Sequence, residues 1–384
     1  MKTKRFIALD GWRGVCALLV AIHNLGQTRW VPQFDFVVHS SLFVDFFFVL
    51  SGFVITHAYR DKLENFRECG AFLLRRVGRL WPLHVATMAA FIGMSVGMSA
   101  LRFVSDLFFH RVLELDSTHL SARMVAANLL LVQTLDSQSR LTMNSPSWSI
   151  STELWTYFLF SAICLFCGIR KISSTIVFGG VVLASISVLL VFSPNFLATS
   201  TDYAFFRCFY GFFAGHLAYE LWRAGPFTMR HEGIVEPVIV ALIVLFVQVT
   251  GNTVLSMLAP PIFAVAVLVF AQQKGWVSKL LMTTPFVHLG TWSYSIYMGH
   301  WLIRKLLVRV DEILQQLMGH QALASDASVD NVWILSMVLL GYLVVVVILA
   351  AVMYRWIEQP GRRLFNRMAS ALLIHKSESI ARFS

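Results

Sequence analysis

The sequence predicts an all-α, polytopic membrane protein, a transmembrane helical bundle of about ten membrane-spanning helices with both termini in the cytoplasm. Of its 384 residues, 57% are hydrophobic and only 14% are charged, and the mean hydropathy is +0.68. A water-soluble protein of this length keeps a large solvated exterior and does not bury so much apolar surface. Long apolar runs and an uneven distribution of basic residues complete the prediction.

Ten apolar runs are long enough to cross a hydrocarbon core of ~30 Å at ~1.5 Å per helical residue. They lie at about 6–25, 40–59, 82–101, 147–167, 172–192, 203–222, 235–250, 254–272, 286–303 and 332–356. The run 123–135 is too short to span the membrane. We expect it to form a re-entrant or interfacial segment inside the long loop 102–146.

Lysine and arginine fall mainly on one side of this predicted topology. The side that holds both termini receives 21 basic residues and the opposite side receives eight, which marks the terminal side as cytoplasmic. The net charge of +10 is therefore a topology signal, and we expect no nucleic-acid partner. The prediction is a multi-pass protein of the inner (plasma) membrane, with a membrane domain at 1–363 and a basic cytoplasmic tail at 364–384. Glu358 and Pro360 are expected to end the last helix.

Ionisable side chains inside the apolar runs are the candidate functional residues. A charge in the hydrocarbon core costs at least ~2.5–3.5 kcal/mol, so it faces the bundle interior and has a partner or a function. Counting from the helix ends puts four such residues from four helices in the outer half of the bundle: His23, Asp45, Glu153 and His300. For each one alone, an interhelical contact explains the residue equally well. For Arg207, pairing with Asp45 or Asp202 and binding of a substrate anion are equal alternatives.

A second candidate group is the basic cluster Arg75, Arg76 and Arg79, which precedes Trp81-Pro82 at the inner end of the third run. Guanidinium groups in this spacing suit a phosphorylated ligand that arrives from the cytoplasm. Contact with anionic lipid headgroups explains the same spacing equally well. Cys164 and Cys167 form a CxxC pair without a second pair, so we expect them to pack in the bundle and expect no metal site.

Six motifs in chain order resemble one known family. They are ALDGWRGVCALLVAIHN (8–24), SLFVDFFFVLSGFVI (41–55), RRVGRLWPLH (75–84), SPSWSISTELWTY (145–157), TWSYSIYMGHW (291–301) and YRWIEQPGRR (354–363). Together they resemble the acyltransferase-3 family of membrane acyltransferases, which O-acylate sugars and related acceptors. Longer members of that family carry an extra extracytoplasmic hydrolase-like domain, so we expect this chain to be a stand-alone form.

The resemblance implies roles for particular residues. Arg13 matches the basic residue of the family's first helix, and the family's essential histidine falls at His23 or Asn24. The arginine group that the family associates with acyl-CoA matches Arg75, Arg76 and Arg79. The family signature SxxWSLxxE matches Ser145, Trp148, Ser149, Ile150 (in place of leucine) and Glu153. By the same resemblance, the protein holds no cofactor permanently, and its partners are acyl-CoA (most often acetyl-CoA), a sugar, glycan or lipid-linked acceptor, and the lipid bilayer.

The position of the histidine departs from the family pattern. Nine residues separate Arg13 from His23, whereas the family usually has ten, and ten would end at Asn24. At 100° per residue, Asn24 lies within ~20° of Arg13 around a helix, and His23 lies ~80° away. His23 therefore reaches the site if the first helix unwinds or tightens near its end. Otherwise Asn24 occupies the family's position.

A mechanism follows as a hypothesis. Acyl transfer to a hydroxyl needs a general base and stabilisation of the developing oxyanion. A neutral imidazole is available near neutral pH, so His23 is the predicted base, oriented by Asp45 or Glu153. Arg13, Trp148 or Ser149 would polarise the thioester carbonyl.

Two other classes of protein remain as alternatives. A transporter or flippase for a glycan or lipid intermediate would also have many helices and a polar core. Such proteins usually show matching halves or helices broken at mid-membrane; this sequence has no repeat, although Ser51-Gly52 interrupts the second run. A non-catalytic membrane receptor is the third interpretation, because of the shifted histidine.

Overall fold

The protein is described by a computed structural model that covers residues 5–28, 31, 34–109, 121–135, 143–225, 232–318 and 332–381. These residues are organised in helices, and none of them lies in a β-strand. The α-helices are α1 Ile7–Gly26, α2 Asp35–His39, α3 Phe43–Tyr59, α4 Phe66–Phe109, α5 Ala122–Leu129, α6 Trp148–Arg170, α7 Ser174–Phe192, α8 Ala204–Ala224, α9 Glu232–Thr250, α10 Ala259–Phe270, α11 Trp276–Leu281, α12 Thr284–Met318, α13 Val332–Met353 and α14 Gln359–Ala381.

The all-α, polytopic membrane architecture predicted from the sequence is confirmed. Among the residues that the structure describes, six helical segments are long and apolar enough to cross a bilayer. They are Asp35–Lys62, Phe66–Leu107, Ser145–Arg170, Ser174–Phe192, Gly233–Thr250 and Leu335–Leu373. Each of the other predicted runs also coincides with a helix, namely α1, α8, α10 and α12. The number of ten crossings itself stays a prediction.

The helix α4 begins well before the position expected from the sequence. The predicted span began at residue 82, but the helix runs without interruption from Phe66 and contains Pro82. A proline removes one main-chain hydrogen bond, which a membrane helix tolerates where neighbouring helices pack on it. Here α14 crosses α4 closely: a Cβ on Gly361 would lie 2.6 Å from Pro82 Cβ. The arginine cluster therefore lies on a helix and not in a loop.

The last apolar helix also continues further than expected. Glu358 and Pro360 do not end it; residues Tyr354–Glu358 form a π-helical turn, and α14 follows directly. The turn buries the Glu358 side chain, which accepts a 2.8 Å hydrogen bond from Ser295 Oγ of α12. Most of the predicted tail is thus part of a helix that packs on α4.

Two close helix pairs hold the centre of the bundle together. In the pair α3–α8, a Cβ on Gly52 would lie 1.8 Å from the Phe212 carbonyl oxygen. In the pair α1–α12, a Cβ on Gly290 would lie 2.1 Å from the Asp10 carbonyl oxygen. Glycine at such contacts lets two backbones approach, which is how helices commonly associate in lipid. These contacts fix the positions of α1 and α3, which carry much of the site described next.

The short segment expected near residues 123–135 contains the eight-residue helix α5. It lies against α4, where Trp81 Nε1 donates a 2.9 Å hydrogen bond to the Leu129 carbonyl and His84 Nε2 lies 2.8 Å from the Asn128 carbonyl. Asn128 is buried. This segment packs on α4 around Trp81 and His84, and the residues that follow it contact the start of α6.

Candidate active site

An elongated cavity of about 460 Å³ lies between α1, α3, α4, α6 and α12. Along α3 its lining runs from Val44 to Ala58, which is about 21 Å at ~1.5 Å per residue. This is roughly two thirds of a ~30 Å hydrocarbon core. In the predicted orientation the Ala58 end is the cytoplasmic one. The polar side chains of the lining are Arg5, Asp10, Arg13, Ser51, His57, Arg76, Arg79, Ser149, Glu153, Tyr157, Ser293, Tyr294 and Tyr297.

Guanidinium groups dominate the inner part of the cavity. The Arg13 Nη1 atom lies 3.7 Å from Asp10 Oδ1, and Arg5 Nε lies 3.0 Å from the other oxygen of the same carboxylate. The Arg76 guanidinium lies over aromatic rings, 5.5 Å from the Tyr59 ring centroid. Its buried Nε has no hydrogen-bond partner within the described chain. The arrangement leaves N–H donors and positive charge available to an anionic ligand.

A hydrogen-bonded carboxylate lies further along the cavity. Glu153 Oε1 accepts a 2.7 Å hydrogen bond from Ser51 Oγ and a second, short one from Tyr157 Oη. The Ser51 and Tyr157 oxygens are themselves 2.9 Å apart. Glu153 and Tyr157 are one helical turn apart on α6, so both side chains face α3. This triad adds a second carboxyl group, besides Asp10, and two hydroxyl groups to a cavity that four arginines line.

Two more hydroxyl groups line the cavity where α6 begins. Ser149 Oγ and Tyr297 Oη are 2.7 Å apart, and they lie 3.1 and 2.9 Å from the Pro146 carbonyl oxygen. Ser145 lies in the 3₁₀ turn Ser145–Ser147 that leads into α6. The polar residues of this motif thus join α6 to α12 and expose hydroxyl groups to the cavity.

Asp45 is engaged in a buried ion pair. Its two carboxylate oxygens accept hydrogen bonds from Arg207 Nη2 at 2.7 Å and Nε at 3.0 Å. Arg207 also donates to the Thr199 carbonyl and lies over the Trp148 ring, 5.2 Å from its centroid. Of the alternatives for Arg207, the structure shows the pairing with Asp45. Both side chains are almost wholly buried, and neither lines the cavity.

The two candidate histidine positions have separate surroundings. His23 Nδ1 lies 3.0 Å from the Val37 carbonyl oxygen, so this nitrogen carries the proton, and Nε2 lies 3.3 Å from Gln27 Nε2. Asn24 Nδ2 lies 3.1 Å from Nε2 of His300. Helix α1 is regular through Gly26, so the unwinding considered from the sequence is not seen. His23 is oriented by a backbone carbonyl, and not by Asp45, which holds Arg207.

The structure brings only some of the predicted residues together. Five of the sequence-predicted site residues line the cavity: Arg13, Arg76, Arg79, Ser149 and Glu153. Five others lie outside its lining: His23, Asp45, Arg75, Ser145 and Trp148. Glu153 lies with the arginines, whereas the sequence analysis grouped it with His23.

Several residues that line the cavity were not predicted from the sequence. Ser51 was noted only as an interruption of its helix, and Tyr157 and Tyr297 lie inside recognised motifs without an assigned role. Tyr157 follows Glu153 by four residues, and this helical spacing was the available signal. His57 also lines the cavity, but it ends an apolar run, and no pattern in the sequence pointed to it.

The chain was also compared with known protein families. A sequence profile of the acyltransferase-3 family, described as an acyltransferase domain, matches residues 6–355. The chain belongs to the acyltransferase-3 family. This family member is therefore a multi-pass membrane enzyme that transfers acyl groups.

Individual relatives of this acyltransferase are consistent with the assignment. "Acyltransferase MdmB" of Streptomyces mycarofaciens is 24% identical over 94% of this chain and 93% of its own length. "Protein 2 in picA locus" of Rhizobium radiobacter is 37% identical over 39% of this chain and 78% of its own length. "Putative O-acetyltransferase SACOL0978" of Staphylococcus aureus (strain COL) is 24% identical over 79% of this chain and 51% of its own length. No solved structure matches the chain.

Proposed function

We propose that this acyltransferase moves an acyl group, most often acetyl, from acyl-CoA to a hydroxyl of a sugar, polysaccharide or related acceptor at the inner (plasma) membrane. The observation that supports it most is one elongated cavity in an acyl-transferring enzyme, with guanidinium groups toward one end and hydroxyl groups further in. Acyl-CoA has the matching order of groups, with phosphates at one end and a thioester at the end of a long arm.

The donor would enter from the cytoplasm. Its phosphates would bind Arg76 and Arg79, with Arg13 next along the cavity, because guanidinium groups bind phosphate oxygens through charge-assisted hydrogen bonds. The acyl arm would follow α3 toward Ser149 and Tyr297. The cavity length of about 21 Å along α3 suits an extended arm.

The reaction proposed for the outer end of the cavity is a direct transfer. The acceptor hydroxyl attacks the thioester carbonyl and gives its proton to His23 Nε2, which the Val37 contact leaves as the basic nitrogen. The carbon–sulfur bond then breaks, CoA leaves as a thiol after it takes up that proton, and an O-acyl ester remains. Ser149, Tyr297 or Arg13 would stabilise the oxyanion. The acceptor therefore binds between His23 and the cavity, and its binding completes the site.

The acceptor is proposed to come from the outer side or from the lipid plane. The name of one relative contains O-acetyltransferase, and the family resemblance points to sugars and related hydroxyl compounds. A surface polysaccharide, a lipid-linked sugar or another membrane glycan would each bring a hydroxyl to the outer end of the bundle.

The test combines purified protein with cells. Protein in liposomes is given radiolabelled acetyl-CoA and a glycan extract, and both CoA release and ester formation are measured. In cells that lack the protein, mass spectrometry of surface glycans should show loss of O-acyl groups. Wild-type protein should restore them, and Arg79→Met should restore few, because a phosphate contact is removed.

A matched control is His288→Ala, since His288 is exposed near the inner end of α12 and lies outside the cavity. It should restore the esters fully. Unchanged glycans together with no acetyl-CoA consumption by the wild type would contradict the proposal. Glycans that accumulate inside the cell would then favour the transporter alternative.

A further inference from the structure

The inner end of the cavity has an aromatic wall that the proposed reaction does not use. Phe6 and His57 both line the cavity, and their ring centroids are 5.1 Å apart. We call these two residues the ring wall. Phe6 is the residue before α1, and His57 lies in the last turn of α3. The ring wall is therefore at the end of the cavity that faces the cytoplasm.

The ring wall is held firmly by other aromatic side chains. The ring centroid of Trp222, in α8, lies 5.6 Å from that of Phe6 and 6.1 Å from that of His57. The ring centroid of Tyr219 lies 5.5 Å from that of His57. All three pairs pack edge to face. Edge-to-face packing is the favoured geometry between aromatic rings and contributes beyond the burial of area. The packing of Trp222 and Tyr219 thus fixes the positions of the Phe6 and His57 rings.

Positive charge lies directly beside the ring wall. Arg5 adjoins Phe6 in the chain and lines the same cavity. Arg76 also lines this cavity, and its guanidinium is 5.5 Å from the ring of Tyr59, which lies in the last turn of α3 with His57. Aromatic rings and guanidinium groups at one mouth fit a ligand that joins a flat heteroaromatic ring to phosphates. A nucleotide has that chemistry, because every base has a π-face that stacks on aromatic rings.

From this arrangement we infer that the ring wall of Phe6 and His57 is the binding site for the purine ring of a nucleotide-bearing acyl donor. The inference rests on the proposed function, since that function supplies a donor that enters from the cytoplasm. It adds a subsite to it: the base lies on the ring wall, the phosphates reach Arg76, and the acyl arm runs along α3.

The kinetic test compares two donors. Acetyl-CoA carries the adenosine bisphosphate portion, and S-acetyl-4′-phosphopantetheine has the same acyl arm without it. His57→Leu should raise KM for acetyl-CoA about tenfold, as expected for the loss of one base–ring contact, and leave kcat within about twofold. The KM for S-acetyl-4′-phosphopantetheine should not change. His57→Phe keeps a flat ring and should keep the wild-type KM.

The matched control is His288→Leu, the same change at an exposed histidine near the same end of the bundle. It should leave both KM values unchanged. Equal changes of KM for both donors in His57→Leu would overturn the purine site. Loss of kcat in both His57→Leu and His57→Phe would overturn it too, and would indicate proton transfer by His57 instead.

A binding measurement separates this inference from the proposed function. Adenosine 3′,5′-bisphosphate is titrated into purified wild-type, His57→Leu and His288→Leu protein by calorimetry. Binding to the wild type and to His288→Leu, with about tenfold weaker binding to His57→Leu, supports the purine site even if no acyl transfer is found. Acyl transfer from acetyl-CoA without any nucleotide binding would support the proposed function and overturn the purine site.

Discussion

Buried charged residues in this bundle pair with residues that lie far away in the sequence. Asp45 and Arg207 are 162 residues apart, yet they form a two-point ion pair with both side chains almost wholly buried. The Arg207 guanidinium also covers the Trp148 ring, at the start of the helix that carries Ser149 and Glu153. A charge pair with no exposure to the cavity thus supports the helix that lines it.

Breaking this pair should destabilise the protein strongly. Asp45→Asn leaves the Arg207 charge buried without a counter-charge, which typically costs about 3–5 kcal/mol. We expect a clearly lower melting temperature in detergent. The control is Glu312→Gln, which removes the partly exposed pair of Glu312 with Arg309 and should cost at most ~1 kcal/mol. Equal melting temperatures for the two variants would show that the buried pair carries no special stability.

Acyl transfer should depend on His23 and not on the neighbouring position. His23→Ala removes the proposed base and should abolish ester formation, measured with labelled donor, while insertion and melting temperature stay the same. Adding Asn24→His to that variant should not restore activity, since position 24 points to His300. Recovery of activity in the double variant would move the catalytic position to 24.

Many residues of the candidate site were predicted correctly from their type and position in the sequence. Which of them lie beside one another was not. Arg13, Arg79 and Glu153 were predicted site residues, and all three line one cavity. Asp45 was also expected beside His23, whereas it holds Arg207. Helical spacing fixes the depth of a residue in the membrane, but the direction that its side chain faces depends on how each helix is rotated against its neighbours. That rotation is set by the packing of the helices and cannot be predicted from the hydropathy of the sequence.

For whole helices, the apolar composition predicts where a helix lies, whereas packing against other helices determines where it starts and ends. All ten predicted apolar runs coincide with helices, because long apolar segments in lipid must satisfy their main-chain polar groups internally. The predicted run 82–101 covers only part of α4, which begins at Phe66 and contains Pro82; this proline packs against Gly361 of α14. Packing between helices that are distant in the sequence cannot be predicted from the local sequence of either helix.

The contact between α3 and α8 should be intolerant of any added carbon atom. Gly52→Ala would place a methyl group 1.8 Å from the Phe212 carbonyl oxygen, so the helices must separate and lose packing. We expect lower thermal stability and lower activity, since α3 also carries Ser51. The same substitution at Gly93 meets nothing within 4 Å and should stabilise α4 by up to ~1 kcal/mol. Similar melting temperatures for both variants would contradict this packing.

At the scale of the whole molecule, the uneven distribution of basic residues and the course of the helices predict opposite sides for two exposed loops. Between Ile172 and Asn252 the chain passes through α7, α8 and α9. If all three helices cross, these residues lie on opposite faces of the membrane, with Asn252 outside in the predicted orientation. Because α8 is not among the six segments of the described chain that are both long and apolar enough to cross a bilayer, these two positions test whether it crosses.

The experiment uses two single-cysteine variants in a background without the five native cysteines. In intact cells, a membrane-impermeant maleimide should label the Asn252→Cys variant and not the Ile172→Cys variant, and both should react after lysis. Labelling of neither variant in intact cells, or of both, would place the two residues on the same face of the membrane, so that α8 does not cross and the ten-span topology is wrong.

The buried ion pair has a consequence for biosynthesis. Ribosomes add about 5–20 residues per second, so the 162 residues between Asp45 and Arg207 take roughly 8–30 s to make. During that time the nascent α3 has a carboxyl group and no guanidinium to meet it. A lone ionised carboxylate is disfavoured in lipid, so α3 must either enter protonated or remain beside the insertion machinery until α8 emerges. In the first case the Asp45 proton is lost only when α8 brings Arg207; in the second, α3 enters the bilayer together with α8 and out of the order in which the helices are translated.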